Sequence, residues 1–282
     1  MNLGLRIVGR RADGHHRLES LFAPLDLADG VALHVESASA ASVSLQLAGE
    51  DLGAPTDESN LALRAARAFL ERGGVAARVE IGLTKRTPVA AGLGGGSSDA
   101  ATVLRGLLRA FPDALDEAGL EALALSLGAD VPFFLDPRPA WVTGVGEHRD
   151  PVRGLPALAL VLANPGHGLL TAEVFGAYDA LTDTDRTPAG PPDDLAAVAG
   201  DDDALAALLG NDLEAAALRL CPAIGRLRRA LEVSGARAVG MSGSGATLFG
   251  VFTDRDAAEA AAAGLERVGG AWIRVAATRE CG

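Results

Sequence analysis

The residues from Gly92 to Ser98 read Gly-Leu-Gly-Gly-Gly-Ser-Ser, which joins backbone freedom to a pair of hydroxyls. A helical pattern follows, with Val103, Leu104, Leu107 and Leu108 on one side. Glycines let a ligand approach the backbone closely, and a helix start leaves N–H groups unpaired. With Ser97, Ser98 and Asp99 as capping candidates, the pattern predicts an anion cradle, with phosphate as the anion. It is not a P-loop, because no lysine follows the glycines. It is not a dinucleotide fingerprint either: the sixth place from Gly92 is Ser97, and from Gly94 it is Asp99. Taken alone, the run also fits a flexible glycine turn capped by serine.

A second glycine cluster, Gly240 to Gly245, precedes the apolar run Ala246 to Phe252. It fits a tight loop and a second backbone donor site equally well. Asp130 follows Leu-Gly-Ala and precedes Val131-Pro132, an element boundary with apolar Phe133 and Phe134 nearby. Such surroundings suit a carboxylate that takes a proton from an alcohol, and an ordinary turn aspartate fits as well. His34, His148 and His167 have no metal-site spacing. Cys221 and Cys281 are too few for a disulfide framework, and nothing about them marks a metal site.

The elements that must position these groups are legible in outline. Alternation over Ala77 to Thr84 predicts a strand feeding the glycine loop, with Lys85, the only lysine, at its end. Leu3, Leu5 and Ile7 predict an opening strand, and Asp13-Gly14 a turn within Arg10 to His16. Further strands are expected at Val31 to Glu36, Val43 to Leu47, Trp141 to Val145, Ala157 to Leu162, Ala246 to Phe252 and Trp272 to Ala276. Helices are expected at Leu61 to Leu70 (capped by Asn60), Leu120 to Leu127, Leu205 to Leu209, Leu213 to Leu218, Ile224 to Leu231 and Asp256 to Val268. Asp183 to Asp203, rich in Asp, Pro and Gly, is expected to be a mobile surface loop without chemistry. The pattern predicts an α+β fold in two domains, 1–152 and 153–282.

The chain has 282 residues, 49% hydrophobic, enough for a large core without disulfides. A formal net charge of −12 argues against nucleic acid or an anionic membrane as partner. No signal peptide or membrane-spanning run is visible, so a cytoplasmic enzyme is expected, a monomer or weak homodimer.

The segment Pro88 to Thr102 resembles the second motif of the GHMP kinases, small-molecule kinases named for galactose, homoserine, mevalonate and phosphomevalonate. Five further stretches occur in the order of one branch, whose substrate carries a cytidine diphosphate group. They are Asn2 to Leu5, Arg11 to His16, Leu127 to Phe133, Gly144 to Glu147 and Met241 to Gly245. The resemblance implies a nucleotide-binding N-terminal domain, a ferredoxin-like C-terminal domain and an active site between them. It implies ATP as co-substrate and Mg²⁺, with Asp130 as catalytic base. It assigns Pro88, Gly92, Leu93, Gly94, Gly95, Gly96, Ser97 and Ser98 to the triphosphate, Ser98 also to the metal, and Asn60, Leu61 and Lys85 to the surroundings of the adenine. Asn2, His15, His16, Val145, Thr171, Phe175, Gly243 and Ser244 are assigned to the cytidine substrate. His16 has the ring groups to read a cytosine edge, and Phe175 a face on which the base can stack.

The chain departs from that branch in three places. The pattern carries a lysine two residues before the asparagine at Asn2, and here the sequence begins at Met1. The expectation is that the true start lies upstream; a chain without the lysine is expected to turn over more slowly. His15 stands where tyrosine is usual and Ala172 where proline is common.

Overall fold

Apolar residues at every second position make a half-buried strand of Ala77–Lys85: Ala77, Val79, Ile81 and Leu83 are buried, Arg78 and Glu80 exposed. A computed structural model of the chain describes residues 1–181, 187–266 and 270–279. In chain order the elements are β1 (Asn2–Arg10), β2 (His16–Phe22), β3 (Gly30–Ser37), β4 (Ser42–Gly49), α1 (Leu61–Arg72), β5 (Ala77–Lys85), α2 (Gly95–Ala110) and α3 (Glu117–Leu127). A 3₁₀ turn at Pro132–Leu135 precedes β6 (Ala140–Gly144), β7 (His148–Pro151), β8 (Ala159–Asn164) and α4 (Thr171–Asp179). The remainder comprises α5 (Leu195–Gly200), α6 (Asp202–Leu208), α7 (Glu214–Leu220), α8 (Ala223–Val233), β9 (Ala238–Met241), β10 (Leu248–Phe252), α9 (Arg255–Leu265) and β11 (Trp272–Ala277).

Two compact units divide the chain. The larger comprises Met1–Leu27, Ala90–Leu93 and Arg138–Gly282; the smaller comprises Ala28–Val89 and Gly94–Pro137. This differs from a single cut at 152/153, because the chain leaves the larger unit and re-enters it. The glycine run changes unit between Leu93 and Gly94.

The smaller unit has a three-stranded sheet in the order β3-β5-β4. β3 pairs antiparallel with β5, and β4 parallel with it. A parallel neighbour needs a crossover, and α1 supplies it between β4 and β5. Phe69, Val79, Ile81, Leu104, Leu107 and Leu123 join in its core.

The larger unit has two four-stranded sheets, β1-β2-β6-β7 and β11-β8-β10-β9, both antiparallel. Numbered along the chain, the second runs 4-1-3-2, with helices between its first and second strands and α9 between its third and fourth. That is the ferredoxin-like arrangement, and the α+β expectation holds. Its core includes Leu5, Ile7, Val161, Leu231, Leu248 and Ile273.

Most expected elements are present with ends shifted by a few residues. The expected loop at 183–203 contains α5 and the start of α6; residues 182–186 lie outside the described residues, as do Cys281 and the 267–268 end of the expected last helix. β2 and α4 are among the elements near the site that were not read from the sequence. β2 buries Glu19 and Ser20 together with Leu21 and Phe22, which hides its alternation. α4 buries only Val174 and Tyr178, one contact per turn.

Candidate active site

α2 begins at Gly95, earlier than serine capping would place it. Its N-cap is Gly94, in the left-handed region at φ 72°, and no side chain caps it. The expectation that Ser97, Ser98 or Asp99 caps the helix is corrected: glycine makes the turn, and all three lie inside the first turns. The first intrahelical bond runs from Ser98 N–H to Gly94 O at 2.9 Å, so the preceding N–H groups have no partner within the helix. The glycines are needed for space. A Cβ on Gly94 would sit 2.9 Å from the Phe134 ring, and one on Gly95 2.5 Å from Thr87 Oγ1. Ser97 and Ser98 are half-buried, and Gly96 is exposed.

Beneath this helix start lies a buried group of charges that sequence reading did not assemble. The Lys85 ammonium bonds to Asp29, and to Asp99 Oδ2 at 2.9 Å, with all three side chains almost wholly buried. Asp29 also accepts the Arg86 and Thr87 N–H groups at 2.6 and 2.9 Å and the Thr87 hydroxyl at 2.7 Å. Burial opposes its ionisation, yet the bonds from Lys85, Arg86 and Thr87 outweigh burial and hold its carboxyl below the usual range. Burial pushes the Asp99 carboxyl up to about 6, against the pull of Lys85 and with a further push from the Asp29 charge. Lys85, expected beside adenine, therefore has two carboxylate partners of its own. Asp29 gave no signal in the sequence; a lone lysine near an in-helix aspartate was the only hint.

Asn60 caps α1, as expected. Its Oδ1 accepts Ala62 N–H at 2.9 Å and its Nδ2 donates to Pro55 O at 2.7 Å. Leu61 opens the helix, and its Cδ1 would stand 3.5 Å from a Cβ on Gly96, so Asn60 and Leu61 flank the cradle. Pro88 is half-buried. Asp130 lies in the turn between α3 and the 3₁₀ turn and is exposed, while Val131 and Phe133 are buried. Its apolar neighbours turn inward instead of enclosing the carboxylate.

In the larger unit the two glycine clusters meet. A Cβ on Gly92 would lie 2.2 Å from Ser242 O, and the Ser242 hydroxyl donates to Gly92 O at 2.7 Å. Leu93 is buried. Asn2 N–H donates to Ser242 Oγ at 3.1 Å, and Asn2 Nδ2 to Ser20 Oγ at 2.9 Å. A Cβ on Gly243 would lie 3.3 Å from Asn2 Oδ1. Thr171 Oγ1 and Ser244 Oγ share a 3.0 Å hydrogen bond. Asn211, not singled out from sequence, holds the loop by donating to Met241 O and Gly243 O at 2.7 and 2.8 Å.

His16 stacks on Phe175 with ring centroids 4.9 Å apart, and its Nε2 lies 2.6 Å from Asp179 Oδ1. Asp179, also within 3.4 Å of Arg10, was missed because α4 itself was missed. His15 is exposed, its ring beside Asp13. Val145 sits in the β6–β7 turn, where its N–H donates to Glu147 at 2.5 Å. Asn2, Thr171, Gly243 and Ser244 are thus linked through the second glycine loop, and His16 joins Phe175. Among the described residues, His15 pairs with Asp13 and Val145 with Glu147, neither of them a member of these groups. Among the described residues no three His, Cys, Asp or Glu side chains are grouped to hold a metal.

Sequence comparison decides the family. The GHMP kinases N terminal domain profile matches residues 60–136, and the GHMP kinases C terminal profile matches residues 195–271. A 4-diphosphocytidyl-2-C-methyl-D-erythritol kinase from Anaeromyxobacter dehalogenans is 46% identical over 94% of this chain and 82% of its own length. This chain belongs to the 4-diphosphocytidyl-2-C-methyl-D-erythritol kinase family of GHMP kinases. The kinase of that name from Deinococcus radiodurans is 42% identical, covering 99% of this chain and 91% of its own. A crystal structure of a 4-(cytidine 5'-diphospho)-2C-methyl-D-erythritol kinase superposes with TM-score 0.80 at 39% identity, over 99% of this chain and 96% of that one. A homoserine kinase from Cytophaga hutchinsonii shares the fold, with TM-score 0.65 at 19% identity over 93% and 89% of the two chains. The chain is therefore a small-molecule kinase of the GHMP fold, and no helix among its described residues is long and apolar enough to cross a membrane.

Proposed function

We propose that this kinase moves the γ-phosphoryl group of ATP to the 2-hydroxyl of 4-diphosphocytidyl-2-C-methyl-D-erythritol. The products are the 2-phosphate and ADP, a step of the non-mevalonate isoprenoid pathway. The observation that carries the reading is near-full-length similarity to kinases of that name, together with the uncapped glycine helix start of α2.

Phosphoryl transfer asks a protein mainly for positioning and charge stabilisation. The N–H groups at the start of α2 bind phosphate oxygens, and side chains at Gly94 and Gly95 would collide with Phe134 and Thr87 and displace that backbone. The Ser98 hydroxyl is a fitting oxygen donor for Mg²⁺, which usually keeps few protein ligands and binds chiefly to phosphates. When bound, Mg²⁺ neutralises charge on the β- and γ-phosphates. Asn60, Leu61 and Lys85 shape the nucleotide end, with Pro88, Gly92, Leu93, Gly96 and Ser97 completing the loop. Asp130 takes the proton of the acceptor hydroxyl; its exposure leaves it accessible to an alcohol.

His16 and Phe175 form a ready-made stacked surface for cytosine, and Asp179 fixes the His16 ring. Asn2, Thr171, Gly243 and Ser244 offer amide, hydroxyl and backbone groups to the diphosphate and methylerythritol, with His15 and Val145 at the edge. The family domains are taken as 1–152 and 153–282, and the setting as the cytoplasm, where ATP is supplied.

The test is ADP release with MgATP and the cytidine-diphosphate substrate, with mevalonate and homoserine as controls. Turnover specific to the cytidine substrate supports the reading. Equal or greater turnover of a control, or none with any alcohol despite ATP binding, overturns it.

A further inference from the structure

One face of the β1–β2–β6 sheet is turned away from the chemistry described above. Cross-strand pairing puts Arg6 opposite Glu19, Gly4 opposite Leu21, and Leu21 opposite Trp141, so these side chains share that face. The segment Ala189–Pro192 and helices α5 and α6 cover it incompletely, leaving a cavity of about 320 Å³ within the larger unit. That volume is at the small end of the range for ligand pockets, roughly 300–1,000 Å³.

Three observations define its chemistry. Glu19 is buried, but its carboxylate is already used: the Ala189 and Gly190 N–H groups donate to its two oxygens at 2.8 and 3.0 Å. It ties the covering segment to the sheet, and both of its oxygens are engaged by N–H groups. Arg6, half-buried in the cavity wall, enters no ion pair among the described residues. Trp141, 7% exposed and in the same wall, has a buried Nε1–H with no hydrogen-bond partner. A buried donor left unmade costs about 1–3 kcal/mol, which a ligand acceptor would recover. The rest of the wall is apolar, with Leu21, Val198 and Leu208 among its members. Two free donors, one of them cationic, on an apolar wall select an acidic head on a small apolar body.

We propose that this cavity is a second binding site, taking a small amphiphilic acid whose carboxylate or phosphate head lies between Arg6 and Trp141 and whose body lies against Leu21, Val198 and Leu208. None of these residues belongs to the phosphoryl-transfer machinery, so the site stands independently of the reaction proposed above.

The experiment follows the two tryptophan indole N–H signals of the full chain by ¹H–¹⁵N NMR, assigned with Trp272→Phe. Trp272 Nε1 also lacks a partner, but it does not line this cavity, so it serves as an internal control. Hexyl phosphate and hexanoate are the probes, with hexanol and inorganic phosphate as half-ligands. At least one acid probe is expected to shift the Trp141 signal saturably while the Trp272 signal stays in place. Each half-ligand is expected to bind at least tenfold more weakly, and Arg6→Gln to weaken the acid probe at least tenfold. Val198→Phe, which fills the cavity without touching the donors, should weaken it as well. The proposal fails if neither acid moves the Trp141 signal, if Arg6→Gln binds equally well, or if either half-ligand matches the acids.

Discussion

Beneath the start of α2, three charged side chains are buried and satisfy one another; around His16, polar groups sit near the surface with capacity to spare. Lys85, Asp29 and Asp99 are between 2% and 6% exposed, while His16 is 10% and Asp179 33% exposed. A buried ion cluster is poor at contacting a ligand and good at fixing backbone, and here it fixes the end of β5 to the first turns of α2. The cradle can then present N–H groups at a set geometry without side-chain rearrangement. The His16–Phe175–Asp179 group has the opposite character, with ring faces and edges that the proposed function uses for recognition. On the proposed reading, the contrast has phosphate held by backbone shaped from below, and the acceptor by side chains.

If chemistry resides in accessible groups, the largest effect should come from exposed Asp130. Asp130→Asn is expected to lower kcat by about 10²–10⁴-fold with ATP affinity retained. A rate within fivefold of the parent would remove Asp130 from the base role.

Lys85→Met tests the buried side of the contrast. It strands two carboxylates, and unpairing a buried ion pair costs about 3–5 kcal/mol. Denaturant unfolding should show a loss of that order, with nucleotide affinity falling too. A fully stable variant that loses only ATP binding would make Lys85 a ligand contact and not a scaffold.

A finer test uses pH. Asp99 has its folded pKa raised to about 6 from 3.8, so the folded state binds the extra proton between those values. Stability from this group is therefore greatest below pH 4 and falls as pH rises through 6, by roughly 2–3 kcal/mol at most. Asp29, shifted downward, works in the opposite sense below its usual range. Unfolding free energies of Asp99→Asn should lack the decline between pH 4 and 6; an unchanged profile would show that Asp99 does not titrate there.

Phe175→Ala should have the smallest effect. Losing the face on which His16 stacks is expected to raise KM for the cytidine substrate about fivefold, in line with roughly 0.5–1.5 kcal/mol for an aromatic pair. The KM for ATP should not move; a shift in both would blur the division of labour.

Legibility followed the same contrast. The glycine run and its flanking strand and helix were readable because backbone freedom and periodicity are local properties. Asn60 was readable as a cap for the same reason. The Lys85 cluster was not, since its third member, Asp29, is 56 residues away and in no motif. Asp179 was hidden because α4 buries only two residues and leaves no apolar stripe. Ser97 and Ser98 were misread as caps because cap preference cannot show that Gly94, in a left-handed turn, starts the helix first. The ferredoxin-like order of β8 to β11 became visible only from strand pairing, which sequence periodicity does not encode.

The most direct test of the account is ³¹P NMR of the product formed from MgATP and 4-diphosphocytidyl-2-C-methyl-D-erythritol. The account predicts a new phosphomonoester signal, coupled to no other phosphorus, on the 2-position of the methylerythritol beside an intact cytidine diphosphate. A phosphate placed elsewhere on the substrate, or only free phosphate from ATP hydrolysis, would contradict it.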